Sequence, residues 1–397
     1  MYRLLQEEER RQNLTLDLIP SENIVSADVR EALGSVFTNK YSEGYPHKRY
    51  YPGNAVCDEV EILGQALARK VFGLDESWHI NMQPYSGSPA NIAALMALVE
   101  FGDTIMGMRL DQGGHLTHGH AVNFSGRAFN VVSYGVNDRG FIDYGEVERL
   151  AREHQPKVII CGATAYSRII DFKRFGAIAK SVHAYLLADI SHIAGLVASG
   201  DHPSPFPYAD VVMTTTHKTL RGPRGGLLLC RDALKAQIDK AVFPGVQGGP
   251  HNNETFAKAV ALKEATTVRF KTYQHHVVRN AAALAQALMQ NNFAIVSGGT
   301  DTHLFLLDLR GTGITGTQAE QRLERAGIIA NRNTVPGDTS PFYPSGVRMG
   351  TPALTTRGMK ERAMKQVAEL ITDAIRERRP VVAIRNDVEA LCRKFSL

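Results

Sequence analysis

The sequence predicts an α/β protein of two domains, a large one built on a mainly parallel mixed sheet and a small α+β one at the C-terminal end. Three observations carry that expectation. At 397 residues the chain is too long for one ordinary domain. From about Asp58 onward, helical segments alternate with continuous apolar runs (DTIMGM, FNVVSY, KVIICGAT, AYLLAD, ADVVMT and GGLLLC), and such runs mark strands covered on both faces. Beyond the last long helix the pattern changes to two further strand-like runs, FAIVSGG and HLFLLDL, followed by an amphipathic helix.

In chain order, residues 1–16 read as a charged helical arm, residues 17–284 as the large domain and residues 285–397 as the small one. The segment from Pro20 to Gly53 is rich in Gly, Pro and Tyr but too patterned for a linker. Asn253 to about Asn291 is Ala-rich, helical throughout by its spacing, and placed to bridge the domains. Met359, Ala363, Val367, Leu370, Ile371 and Ala374 then recur at the i, i+3/i+4 spacing of an amphipathic helix.

Composition narrows the partners. Hydrophobic residues at 44% and charged residues at 21% suit a globular protein with large cores. A net charge of +5 is too small to indicate nucleic acid, though it would tolerate an anionic ligand. The basic runs near Arg10 and Arg376 are interleaved with glutamates and read as solvated helix faces. Cys57, Cys161, Cys230 and Cys392 lie far apart without a CxxC pair, so neither a disulfide framework nor a cysteine zinc site is expected, and a reducing compartment is. No apolar run approaches the roughly 20 residues that span a bilayer, and the opening MYRLLQEEERRQ is too charged for a signal peptide. A cytoplasmic protein with no membrane partner is the expectation.

Asp189 ends the run AYLLAD, and Lys218 follows ADVVMTTTH. In an open α/β sheet, ligands collect at the carboxyl ends of strands, where both residues would lie. Pyridoxal phosphate needs a lysine for its Schiff base and a carboxylate that keeps its pyridinium nitrogen protonated. A buried-end Asp and a loop Lys also occur together without function, so the surrounding segments decide. Lys218 is followed by Thr-Leu-Arg-Gly-Pro-Arg-Gly-Gly, a tight basic turn that would hold the lysine and offer Arg224 to an anion; a hairpin with solubilising arginines is the alternative.

Other segments add to the pair. Ahead of IAALMALVE, Ser88 reads as an N-cap with Pro89 at the first helical position, and Gly87 would let a phosphate approach the helix N-terminus. An ordinary well-capped helix would look the same. His115, His118 and His120 raise a metal site, but no nearby Cys or Glu completes a ligand set, so no metal is expected and stacking on a cofactor ring is the better use. Four tyrosines between Thr38 and Tyr51 surround Glu43, an acid–base candidate whose alternative is a surface glutamate. Arg348, between Gly346 and Gly350, suits either a bidentate clamp on a carboxylate or a structural ion pair.

Read together, LIPSEN, TNKYSEGYPHKRYY, SGSPAN, GGHLTHG, NFSGR, DISHIAGLVA, TTTHKTLRGPRGG, FPGVQGGPH, AVALKEA, VSGGTDTHL and SGVRMGTPA resemble, in order, segments of the serine hydroxymethyltransferases, through nearly the whole chain. Jointly these motifs are very specific; singly they are not. The resemblance implies fold-type I pyridoxal-phosphate architecture and reversible conversion of L-serine and tetrahydrofolate to glycine and 5,10-methylenetetrahydrofolate, a step of glycine synthesis and one-carbon metabolism. It makes Lys218 the Schiff-base lysine, puts Asp189 on the pyridine nitrogen, and sets His192 and Thr164 near the ring's phenolic oxygen. His115 would stack on the ring, Ser86, Gly87 and Ser88 would cup the phosphate, and Thr215 and His217 would also face the cofactor. Arg348, helped by Ser21, would bind the substrate carboxylate, and Glu43 would handle protons around the hydroxymethyl group and the folate. Leu110, Gly114, Leu116 and Asn333 would line the pterin pocket. Tyr41, Gly248 and Gly249 on the cofactor side and Tyr51 on the substrate side would serve the neighbouring subunit's site, implying an obligate homodimer, with a tetramer left open.

Some positions depart from the family pattern. Tyr85 stands where His is common, His47 where Gly is frequent and Ile24 where Tyr usually follows SEN; Pro89 replaces a polar or small residue, and PGDTSPF is one residue short. These flank the expected cofactor and folate sites. They keep open a relative that acts on another 3-hydroxy or an α-methyl amino acid. A retired enzyme serving as a scaffold or RNA binder is a third reading, against which the intact lysine, aspartate and arginine argue.

Overall fold

The computed structural model describes residues 1–338 and 342–396, so part of the segment PGDTSPF lies outside the described residues. Seven strands form the main sheet: β1 Trp78–Asn81, β2 Thr104–Met108, β3 Asn130–Tyr134, β4 Val158–Cys161, β5 Tyr185–Asp189, β6 Val211–Thr215 and β7 Gly226–Arg231. Their order across the sheet is β1-β7-β6-β5-β4-β2-β3. Neighbours from β6 to β3 run parallel, whereas β7 is antiparallel to both β6 and β1. The six apolar runs are β2 to β7.

Five of those runs are continuous because both faces are covered; β3, at the sheet's edge, leaves Asn130 and Ser133 exposed. Ile105, Val158, Ile160, Leu187, Val211 and Met213 pack on one side with the helix Gly87–Leu98. The alternate residues Met106, Ile159, Cys161, Leu186, Ala188 and Val212 pack on the other with the helix Phe172–Ser181. Thr104, Val158 and their neighbours thus need no polar face, and the polar ends of the strands are free to build a site.

The smaller sheet comprises β8 Ala294–Ile295, β9 Leu304–Asp308, β10 Asn331–Asn333 and β11 Gly346–Gly350, in the order β8-β9-β11-β10 with antiparallel neighbours. The helix Glu361–Arg376 covers it with Val367, Leu370, Ile371 and Ala374, while Met359 is buried just ahead of that helix. The arm is the helix Tyr2–Leu14, which buries none of its own residues. Leu16 and Leu18, just after it, belong to the smaller core, and Leu16–Asp17 pairs in parallel with Ile328–Ile329. The segment 253–291 is two helices rather than one: Asn252–Ala265 and Val268–Gln290, separated where the Thr267 hydroxyl accepts from the Phe270 amide as an N-cap. The second crosses between cores, with Phe270 in the larger and Leu284 and Leu288 in the smaller. Among the described residues no helix is long and apolar enough to cross a membrane, and all four cysteines are buried, unpaired thiols.

Candidate active site

β6 ends at Thr215 and the chain turns back into antiparallel β7, so the segment bearing Lys218 is a hairpin connection. Its Arg221 is nevertheless not a solubilising residue: Nε donates to the Ile24 carbonyl at 2.9 Å and the guanidinium lies 5.5 Å from the centre of the Tyr273 ring. Lys218 Nζ donates to Thr215 Oγ1 at 3.0 Å. Burial pushes the ammonium down to about 8; the attraction of Asp189 opposes this, and the charges of Arg348 and Arg224 add to it.

Asp189, the last residue of β5, is gripped from three sides. Asn91 Nδ2 donates to Oδ2 at 2.9 Å, His118 Nε2 lies 3.0 Å from the same oxygen, and the Ser191 amide donates to Oδ1 at 3.0 Å. Burial disfavours the charge, but the His118 hydrogen bond, first among the opposing causes, and the Ser191 donor outweigh it and hold the carboxyl well below the usual range. His118 and Asn91 escaped the sequence reading. His118 stood there as one of three loop histidines, and nothing local ties it to a carboxylate 71 residues away.

Ser86, Gly87 and Ser88 line the same cavity as Lys218 and Asp189. The helix begins two residues earlier than its sequence suggests: Ser86, not Ser88, occupies the N-cap position, with an extended backbone, and Pro89 falls later in the first turn, where a missing N–H leaves no bond unmade. First-turn amides have no partner inside the helix and suit an anion. A Cβ added at Gly87 would stand 2.7 Å from Thr215 Cγ2, so only glycine keeps the turn against β6. Arg224 lines this end too, is exposed, and makes no ion pair among the described residues.

Three more residues complete the cavity's surroundings. His115 Nδ1 lies 2.7 Å from Thr117 Oγ1, and burial pushes the imidazole down to about 4, leaving a neutral flat ring. His192 Nδ1 is 3.2 Å from His303 Nε2; burial first, then the charges of Lys218 and Arg348, hold His192 neutral. Arg348, in the middle of β11, donates from Nε to Asn331 Oδ1 at 3.1 Å and from Nη1 to the Thr164 carbonyl at 2.9 Å. Thr164 lines the cavity and meets Arg348 through its carbonyl. Arg348 is only 7% exposed and has no carboxylate partner among the described residues, which removes the structural ion pair; burial pushes its guanidinium down to about 10.

Other expected residues gather elsewhere. Ser21 lines an adjoining cavity that shares His217 and Arg224 with the first, and His217 Nδ1 is buried without a hydrogen-bond partner. Glu43 is not among the residues that line the Lys218 cavity. Tyr41 donates to Glu43 Oε1 at 2.8 Å and meets Tyr51 edge to face at 5.2 Å. A Cβ at Gly248 would lie 3.5 Å from Glu43 Oε1, and one at Gly249 3.4 Å from Tyr41 Cζ. Tyr41, Glu43, Tyr51, Gly248 and Gly249 therefore form one cluster, with Tyr41 54% and Tyr51 46% exposed. Leu110, Gly114 and Leu116 lie on the loop after β2, and the Thr334 hydroxyl beside Asn333 donates to the Asp111 carbonyl at 2.9 Å, tying β10 to that loop.

A family model described as serine hydroxymethyltransferase matches residues 1–371. The chain belongs to the serine hydroxymethyltransferase family. Its seven-stranded mixed sheet and smaller C-terminal sheet are the fold-type I architecture of that family, whose members are pyridoxal-phosphate-dependent transferases of one-carbon metabolism that use tetrahydrofolate. The cavity fits that cofactor on its own chemistry. It offers a carboxylate held ionised, an amine of lowered basicity, and a helix N-terminus whose Ser86, Gly87 and Ser88 line the same cavity. The departure at His47 also has a physical reading. Its φ of 63° is left-handed, which explains why Gly is frequent there, and its amide donates to Asp58 Oδ2 at 2.9 Å.

Proposed function

We propose that this family member moves the hydroxymethyl carbon of L-serine to tetrahydrofolate, reversibly, giving glycine and 5,10-methylenetetrahydrofolate. The observation that carries the reading is Arg348, a buried guanidinium without a carboxylate of its own, fixed on the carbonyl of a cavity residue. Such a group is costly to bury unless a ligand carboxylate completes it, and an amino acid brings one.

Pyridoxal phosphate, when bound, supplies an electron-accepting ring that weakens bonds at the amino acid's α-carbon. The chain's residues do the rest. Lys218 offers its amine, and Asp189 holds a proton on the ring nitrogen. His115 presents a neutral ring face, while the amides around Ser86, Gly87 and Ser88, with Arg224, hold the phosphate. His192, neutral and backed by His303, donates to or accepts from the phenolic oxygen, with Thr215 and His217 flanking Lys218. Arg348 orients the substrate carboxylate, with Ser21 at the rim. Glu43 holds or moves the proton of the serine hydroxyl, while Leu110, Gly114, Leu116 and Asn333 frame the pterin.

Because Glu43 clusters with Tyr41, Tyr51, Gly248 and Gly249, it goes wherever they go. A homodimer in which this cluster completes the partner's cavity accounts for both the exposed tyrosines and the absence of Glu43 from the lining of the Lys218 cavity. The four reduced thiols support a cytoplasmic setting. The reading is tested by whether tetrahydrofolate accelerates glycine formation from serine.

A further inference from the structure

Lys258, on the helix Asn252–Ala265, is 1% exposed and ranks among the largest fully buried side chains. It has no carboxylate within ion-pair distance among the described residues; Glu254 and Glu61 act on it only from farther away. Its Nζ donates to the Met82 carbonyl at 3.0 Å and to the Pro84 carbonyl at 2.9 Å. Those two residues bridge the end of β1 to Ser86, Gly87 and Ser88.

The same ammonium packs against the far end of the Lys218 connection. A Cβ at Gly225 would fall 2.2 Å from Lys258 Cε and 3.0 Å from Nζ, so glycine there makes room for the lysine. The Pro84 carbonyl also accepts from the Gly226 amide at 3.1 Å, and a Cβ at Gly226 would sit 2.9 Å from the Ser86 carbonyl. Lys258 thus joins the anion-accepting turn to the hairpin that carries Lys218. A neutral side chain could serve as a mere tie, and burying an unpaired charge is costly. A dianion on the other side of the turn would offset that cost.

We propose that Lys258 is a positioning residue for the cofactor's phosphate: it fixes the turn through the Met82 and Pro84 carbonyls and its charge is balanced by the bound dianion. The inference rests on the pyridoxal-phosphate reading. Burial pushes the ammonium down to about 8 against the attraction of Glu254 and Glu61, so a nearby anion has room to raise it.

The test compares pyridoxal phosphate with pyridoxal, which lacks the phosphate, by absorbance titration of cofactor-stripped full-length protein. Wild type, Lys258→Met and Lys258→Gln are used, with thermal unfolding as the control. Lys258→Met should weaken pyridoxal phosphate about 10-fold or more and pyridoxal far less, as expected for loss of a charge-assisted interaction. Lys258→Gln keeps donors for the two carbonyls, so it should recover thermal stability while still discriminating poorly between the two ligands. If Lys258→Met fails to fold, the Gln variant carries the comparison. Equal losses for both ligands, or none, overturn the inference alone. Wild-type protein that takes up neither ligand overturns the cofactor reading and this inference with it.

Discussion

Lys218, half-buried on the cavity, and Arg348, buried, are cations that should each leave a measurable trace. The Lys218 ammonium is pushed down to about 8, whereas an ordinary lysine titrates near about 10.4. A lowered value means that the neutral amine prevails at lower pH. In cofactor-stripped protein, labelling of Lys218 by a small amine-directed reagent, located by peptide mass, should rise about tenfold per pH unit below about 8 and flatten above it. A rate still climbing through pH 9 and beyond would show an unperturbed lysine. Arg348→Lys removes the planar fork, and a charge-assisted pair is worth about 1.5–3 kcal/mol, so glycine and serine should bind roughly 10-fold more weakly with cofactor content unchanged. Equilibrium titration with glycine checks it, and unchanged affinity would make Arg348 structural. At this scale the sequence disclosed the reactive types and left out their supports. Asp189 and Lys218 were legible because each ends or follows an apolar run; His118, Asn91 and His303 were not, because their partners are distant in sequence and no local pattern encodes the meeting.

Elements were legible where an apolar run spelled them out, not wherever burial was two-sided: β1 is mostly buried, and β3 is half-exposed. β2 to β7 announce themselves as mainly apolar runs, but β1, whose four residues include His79 and Asn81, does not. Those polar side chains are satisfied by Asp239, which His79 Nε2 approaches at 2.7 Å and to which Asn81 donates at 2.8 Å. The start of the helix at Ser86 was misplaced because Ser-Gly-Ser-Pro offers two serines as caps, and the proline pattern favours the later one. Leu16 and Leu18 alternate like a half-buried strand, too short a pattern to assign to the distant core that receives them. His47 lies in a two-strand turn between Gly44–Tyr45 and Lys48–Arg49, at a φ of 63°. His47→Gly should stabilise the protein by about 0.5–1 kcal/mol, since a left-handed residue with a Cβ is strained. Its exposed contact with Asp58 contributes little against that gain. Denaturant midpoints decide the matter, and a lower midpoint for the glycine variant would mean that the His47 contact outweighs the strain.

For the whole molecule, the absence of Glu43 from the lining of the Lys218 cavity is the feature the sequence could not reveal. Motif order in a chain says nothing about which subunit's cavity a loop completes. Lys218→Ala and Tyr51→Ala proteins, each inactive, should complement when unfolded and refolded together. Random pairing makes about half the dimers mixed, each with one intact site, so roughly a quarter of wild-type activity should return. Glu43→Gln in place of Tyr51→Ala should complement equally, because Glu43 shares the Tyr41 cluster. A refolded, cofactor-bearing mixture without activity would place these residues and Lys218 in the same chain's site.

The central claim is that this assembly passes a carbon from serine to a folate. The direct measurement is the rate of glycine formation from L-serine by the cofactor-loaded protein, with and without tetrahydrofolate. With the acceptor present the rate should rise well above the rate without it, with methylenetetrahydrofolate appearing mole for mole with glycine. A rate indifferent to tetrahydrofolate, or cleavage confined to another 3-hydroxy or α-methyl amino acid, would contradict it.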